Sequence, residues 1–305
     1  MKTTSPPLVQ HHIRRAAPSS DVGRTCRRLL PSADFDPYAT SLAIGLAKPT
    51  LIESRGLFAT KAIPRCLISV NSYSTRNRLL LAVPPRNLKQ LMPALEFIRC
   101  QSEQILLDAD SSLDYVYFPE SGVVSVVAVY ADGNVIEMAT IGREGCTGVQ
   151  AAFGAKSSSV RLLVQIPGGA ARMSRAVFNR AMKSMPSFRG LMLAYVQAFI
   201  EQVLVSVACN GRHSLKQRLA RWLLMMRDRS DDDVMPITQN LLAEMLGVQR
   251  PTITHAVAAL EEAGLIVRGR RQITILDRQR LIAASCECYQ LVRDRVASHL
   301  PHTYK

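Results

Sequence analysis

Residues 239–258 read Gln-Asn-Leu-Leu-Ala-Glu-Met-Leu-Gly-Val-Gln-Arg-Pro-Thr-Ile-Thr-His-Ala-Val-Ala, and their spacing predicts two short helices joined by a tight turn. Leu242, Ala243 and Leu246 give the first helix an apolar face, and the small Ala243 lets a crossing helix come close. Gly247 follows, where a left-handed backbone is cheap only for glycine. Val248 fills the angle between the helices. Gln249 is the expected cap of the second helix, and Pro251 stands in its first turn, where a missing N–H costs nothing. Ile253, Val257 and Leu260 return that helix to the core. Two helices so joined cross at a large angle and leave the start of the second one free to enter a major groove. Gln239, Gln249, Arg250, Thr252, Thr254 and His255 are the polar residues placed for such contact. Arginine suits guanine N7 and O6, threonine suits a phosphate or a thymine methyl, and His255 suits a base or a phosphate. The bland reading of the same residues is a helical hairpin with a solvated polar face.

The flanking residues favour the first reading. Gly264 ends the second helix, and Leu265–Leu276 alternates as two short strands around Arg268-Gly269-Arg270-Arg271. That is a wing with a basic tip, whose Arg268, Arg270 and Arg271 are expected to meet DNA phosphates. On the N-terminal side, Ser214–Asp228 reads as an amphipathic helix with Leu215, Leu219, Trp222 and Leu223 on one side, followed by a polar loop. Before it, residues 187–211 form a long helix, with Gly211 as the expected break. Leu191, Ala194, Ala198, Gln202, Val205 and Cys209 recur at steps of three and four, with further apolar residues around them. A partner chain is the natural burial surface for a helix apolar on more than one face, and the bland alternative is a core helix packed against the strands alone.

Residues 76–186 carry a different pattern. Asn77–Leu81 and Pro85–Met92 read as short helices. Asp114–Pro119, Gly122–Tyr130, Val135–Ile141 and Val160–Ile166 are runs of β-branched and aromatic residues. Ala131-Asp-Gly-Asn134 supplies the turn of a hairpin. Several short strands with regular turn signals predict a small antiparallel roll. The whole is therefore expected to be α+β: a jelly-roll-like sensor domain over 76–186, a dimerisation helix over 187–211 and a winged helix-turn-helix over 212–295.

Residues 1–75 show no sustained period. Their composition resembles a transit peptide, a disordered basic arm or translation from an over-extended start, and a disordered or non-native basic extension is the expectation. Most of the net charge of +14 lies in the N-terminal third: +10 falls in residues 1–100, zero in 101–200 and +4 in 201–305. Charge alone thus does not locate a DNA site. No run of about 18 consecutive apolar residues suggests a membrane span. Seven scattered cysteines point to reduced thiols in a cytoplasm rather than to a disulfide framework. Cys286-x-Cys288 is the only close pair, and with no second His/Cys cluster apparent, a structural role, no metal site and no cofactor are expected.

From Asn77 to about residue 295 the chain resembles the Crp/Fnr family of transcriptional regulators. The strand series, the long helix, Arg218-Leu-Ala-Arg-Trp-Leu-Leu, the helix-turn-helix and the wing with Ile275-Leu276-Asp277 carry that likeness. The resemblance implies a cyclic-nucleotide-binding-like roll and a bacterial, cytoplasmic homodimer reading a palindrome in double-stranded DNA, with RNA polymerase as a further partner. It also implies a non-enzymatic role. Nucleotide-binding members have a Gly-Glu pair and an Arg-Ser/Thr that holds the cyclic phosphate. Here Gly142-Arg-Glu-Gly145 stands at the comparable strand end. Glu144 and Arg161 are the candidate effector contacts, but the spacing of Arg161 departs from the family and implies a degenerate pocket. Pro251 after Arg250 is a second departure. The competing readings are a small-molecule-binding barrel and a cupin-like enzyme without DNA function. The second requires histidine ligands on strands, and all six histidines fall outside the predicted strands.

Overall fold

Two short helices open the part of the chain that the computed structural model describes, residues 74–301. The expected basic extension over 1–75 lies almost wholly outside those residues. Helix α1 (Arg78–Leu81) is capped by Asn77, whose Oδ1 accepts the Leu80 N–H at 2.9 Å. The buried Asn77 amide also donates to Pro119 and Gly145 carbonyls, fixing this segment to the strands behind it. Helix α2 (Pro85–Leu91) follows.

Seven strands then form the roll: β1 (Glu96–Cys100), β2 (Ile105–Leu107), β3 (Tyr115–Pro119), β4 (Val123–Val129), β5 (Val135–Ile141), β6 (Arg161–Ile166) and β7 (Gly168–Ser174). They make two antiparallel sheets, ordered β1-β7-β3 and β2-β6-β4-β5. Strand β4 is apolar along nearly its whole length because both of its faces are covered. Val123 and Val127 enter the core with Val116, Phe118, Ala171 and Met173. Val124 and Val126 face the other way, with Ile141, Val164 and the helical Phe199 and Val203. A strand buried on both sides reads as a continuous apolar run rather than an alternation. Strands β1, β2 and β7 go beyond the strands read from the sequence. Strand β7 is Gly-Gly-Ala-Ala-Arg-Met-Ser, small residues with little strand propensity, yet it pairs with both β1 and β3.

Helix α3 (Arg175–Ser184) leads to α4 (Pro186–Arg212). Here the structure departs from the expected break at Gly211. The helix runs through that glycine and ends at His213, where the backbone becomes extended (φ −103°, ψ 148°). Ser214 restarts the chain with a capping box: its hydroxyl accepts the Gln217 N–H while the Gln217 side chain accepts the Ser214 N–H. By length and composition α4 is able to cross a membrane. In this fold it lies along the roll, with the buried Gln202 donating to the Thr140 carbonyl at 3.0 Å.

The C-terminal part comprises α5 (Leu215–Arg229), β8 (Val234–Met235), α6 (Gln239–Leu246), α7 (Arg250–Glu262), β9 (Ile266–Gly269), β10 (Gln272–Ile275), α8 (Arg278–Ala284) and α9 (Cys288–His299). The three strands form one sheet ordered β8-β10-β9. Leu219, Trp222, Leu223, Leu242, Ile253, Val257, Leu260 and Ile273 fill the core between them. Helix α9 returns to pack along α4.

Candidate nucleic-acid interface

The helix pair at 239–262 is built as its sequence demands. Thr238 caps α6, its hydroxyl accepting the Leu241 N–H at 3.2 Å. Gly247 ends α6 in the left-handed region (φ +63°, ψ 44°). The turn needs glycine for its conformation, and a Cβ there would also crowd the Ile136 side chain of β5 at 3.1 Å. The Val248 N–H bonds to the Ala243 carbonyl at 2.9 Å and closes the turn. Gln249 then starts α7 from an extended conformation, with Arg250 and Pro251 in the first turn.

Gln249, Arg250, Thr252 and His255 are exposed on one end of α7. Among the described residues the Arg250 guanidinium has no ion-pair partner. Thr254 and Gln239 are held together: the Thr254 hydroxyl, 2.9 Å from both the Gln239 Oε1 and the Arg250 carbonyl, is a committed donor. Among the described residues the Gln239 amide nitrogen, at the start of α6, has no hydrogen-bond partner. Two other arginines close the ends of these helices. Arg218 donates to the Leu246 carbonyl at 2.6 Å and Arg280 to the Ala263 carbonyl at 2.9 Å, cations placed where helix carbonyls lack partners.

At the wing, β9 and β10 pair from Ile266–Ile275 to Gly269–Gln272, leaving Arg270 and Arg271 as the two-residue tip. Arg271 takes a left-handed φ of 59°. Both tip guanidiniums are exposed and lack an ion-pair partner among the described residues. Arg268 differs. Its guanidinium and its backbone N–H both bond to Glu261 of α7, so a phosphate would have to compete for it.

The two residues expected in an effector pocket are not brought together around an opening. Glu144 is buried and ion-paired at 2.7 Å with Arg229 of α5. Arg229 donates further to the Met225 carbonyl and to Gln202, each at 2.9 Å. Gly142 makes this approach possible, because a Cβ there would fall 2.8 Å from the Arg229 side chain. Arg161 is half-buried on β6 opposite Val127, and its guanidinium grips Asp108 at 2.8 and 3.2 Å. The space beneath α4, lined by Thr140, Glu144, Tyr195, Gln202 and Arg229, amounts to about 20 Å3. That is room for a single water, whereas ligand pockets run to roughly 300–1,000 Å3.

The C-terminal part also leans on the roll. Trp222 Nε1 donates to Glu137 at 2.7 Å, Gln165 Nε2 lies 2.7 Å from the Met245 sulfur, and Arg143 pairs with Asp231 at 2.6 Å. Glu137 also accepts the Ser125 hydroxyl. Burial pushes its carboxyl up to about 7, against the pull of the Ser125 and Trp222 hydrogen bonds and the Arg221 and Arg229 charges.

The expectation that no second cluster joins Cys286-x-Cys288 needs correction. Folding brings Cys209, His213, Cys286 and Cys288 together, with their ligand atoms all within 4.8 Å of one another. The signal was present in the sequence as Cys209-x-x-x-His213, a spacing that puts both side chains on one helix face. What the sequence hides is that α9 folds back to the end of α4. Of the histidines, His213, His255 and His299 are described, and each lies on or beside a helix.

Residues 97–185 match the cyclic nucleotide-binding domain and residues 217–284 match the Crp-like helix-turn-helix domain. The chain is 25% identical over 210 residues to the global nitrogen regulator of Synechocystis sp., a match covering 66% of this chain and 93% of that protein. Its fold is similar to that of FixK2 from Bradyrhizobium japonicum, with a TM-score of 0.55, 19% identity, and coverage of 63% of this chain and 98% of the other. It is also similar to the c-di-GMP responsive global regulator CLP of Xanthomonas campestris, with a TM-score of 0.53, 13% identity, and coverage of 64% and 100%.

Proposed function

Because the chain belongs to the Crp/Fnr family of transcription regulators, we propose that it reads a palindromic site in double-stranded DNA as a cytoplasmic homodimer, with no catalytic role. The observation that carries this reading is the exposed Arg250 at the start of α7, which, like Arg270 and Arg271 of the wing tip, has no ion-pair partner among the described residues. Arg250, Gln249 and Thr252 face the base edges, with His255 beside them. Arg270 and Arg271 meet phosphates, as does the Gln239 amide. Arg268 joins them only by leaving Glu261, and Thr254 serves to hold Gln239 rather than to touch DNA.

Pairing is supported by α4. Leu193, Ile200, Leu204 and Val207 are 44–66% exposed and recur at steps of seven, four and three, which aligns them as one apolar stripe. A second copy covers it and sets two α7 helices at half-site spacing. RNA polymerase is the further partner of such a regulator. The sensor roll works without a cyclic nucleotide, because Glu144 and Arg161 have partners within the chain and the space beneath α4 is nearly filled.

Selection of binding sites from random duplexes, followed by fluorescence anisotropy titrations of the full chain across salt concentrations, tests this. The expected outcome is a two-fold symmetric site bound by two chains, with affinity falling steeply as salt rises. Binding indifferent to salt and sequence refutes the reading. Addition of cyclic AMP or cyclic GMP is expected to leave the titration unchanged.

A further inference from the structure

The four residues gathered at the end of α4 have the dimensions of a metal site. Cys209 and His213 stand one turn apart on that helix, and Cys286 and Cys288 bracket the start of α9. Cys209 Sγ is 3.5 Å from Cys286 Sγ, and His213 Nδ1 is 3.6 Å from Cys288 Sγ. A tetrahedral zinc ion, with Zn–S of about 2.3 Å and Zn–N of about 2.1 Å, has ligand edges of roughly 3.8 Å between sulfurs and 3.6 Å between sulfur and nitrogen. The frame therefore fits one ion. A disulfide would use two of the four groups and leave His213 aimed at a sulfur without purpose. An iron–sulfur cluster spreads its ligands around several irons and needs a wider frame.

The surroundings match as well. His213 Nε2 lies 3.1 Å from the Glu287 carboxylate, which turns Nδ1 towards the sulfurs. A carboxylate behind a histidine is the usual support of a metal-bound imidazole. Three thiolates, a neutral imidazole and a dication sum to one negative charge. Arg221 stands ready to balance it: it is 5% exposed, its Nε has no hydrogen-bond partner among the described residues, and its charge acts on Cys209 and Cys288. Its charge also acts on Glu137, and a three-thiolate metal centre supplies a further anionic neighbour to this buried guanidinium.

We propose that Cys209, His213, Cys286 and Cys288 bind one structural Zn2+ ion. The cysteines are 0%, 3% and 5% exposed, so no coordination position opens to a substrate. Binding exchanges the thiol protons of the three cysteines for the ion, with no change of oxidation state. His213 is the residue at which α4 gives way to α5, so the ion fastens α9 to the junction from which the helix-turn-helix departs. None of the four ligands lies within the matched ranges 97–185 or 217–284, so the site is a property of this chain beyond its matched domains. It stands whether or not the chain binds DNA.

The test is elemental analysis of the full chain purified under reducing conditions without chelator, followed by exchange of the bound metal for Co2+. One zinc per chain is expected, and the cobalt protein should show the visible bands of a tetrahedral, thiolate-ligated ion. C286S and C288S should lose stoichiometric metal, and E287Q should bind it about 10–100-fold more weakly. C100S, which alters a cysteine in the roll, should keep it. Folded wild-type protein that neither carries zinc nor gives the cobalt bands overturns the proposal, as does a Cys209–Cys286 disulfide in its place. If the serine variants fail to fold, the wild-type spectrum decides alone.

Discussion

Single residues divide here into those kept free and those already engaged. Arg250 is free, so R250A is expected to cost about 1–3 kcal/mol of affinity for the selected site and little for random duplex. Changing Arg270 and Arg271 together to alanine should act differently, weakening all duplexes alike and lowering the log–log salt slope by roughly 0.9 per lost phosphate contact. Anisotropy titrations at several salt concentrations distinguish the two patterns. Glu137 is engaged, by Ser125 and Trp222, and its carboxyl is raised to about 7 by burial. A carboxyl raised in the folded state holds a proton there that the unfolded chain has already released. Its contribution is whole below the unfolded value of 4.5 and is lost as pH rises through about 7. E137Q should therefore gain thermal stability relative to wild type between pH 5 and pH 8. Melting curves at both values measure this, and a wild-type–variant gap that does not change with pH refutes it.

Elements differ in how plainly their sequences announce them. The helix-turn-helix is legible because each of its parts is a local requirement: the left-handed Gly247, the early Pro251 and the apolar return of α7. The β4–β5 hairpin is legible for the same reason, since Gly133 takes a φ of 84° at its turn. Strand β7 is not, because what makes it a strand is pairing on both sides rather than its own side chains. Nor is the end of α4 legible from Gly211, because a glycine is tolerated inside a long, well-packed helix and the capping box at Ser214 fixes the break instead. Candidate site residues follow this division. Those on the wing tip and all but Thr254 on α7 are exposed as their pattern implies, while Thr254 is half-buried and bonded to Gln239. The partners of Glu144, Arg161 and Arg268 come from distant segments and are invisible in any local window. On α4 itself, L204E and V207E place charges on the apolar stripe. They are expected to yield monomers by sedimentation or light scattering with the melting temperature little changed. Persistence of the dimer would place its contact surface elsewhere.

At the scale of the whole chain, the roll and the C-terminal part are joined by more than the covalent link at His213. The Arg229–Glu144 pair, the Trp222–Glu137 bond and the Arg143–Asp231 bridge each connect α5 or the loop after it to β5 or the turn beyond it. These three contacts tie β5 and the turn beyond it to the helix that supports α6 and α7. Helix α9 adds a different constraint. It lies along one flank of α4, with Val292 and Val296 buried and Arg295 paired to Glu201. Helix α9 is also translated well after α4, with the whole helix-turn-helix between them. Until it emerges from the ribosome, that flank of α4 stays bare beside the exposed apolar stripe. A nascent chain therefore carries two sticky faces on α4 where the folded chain carries one.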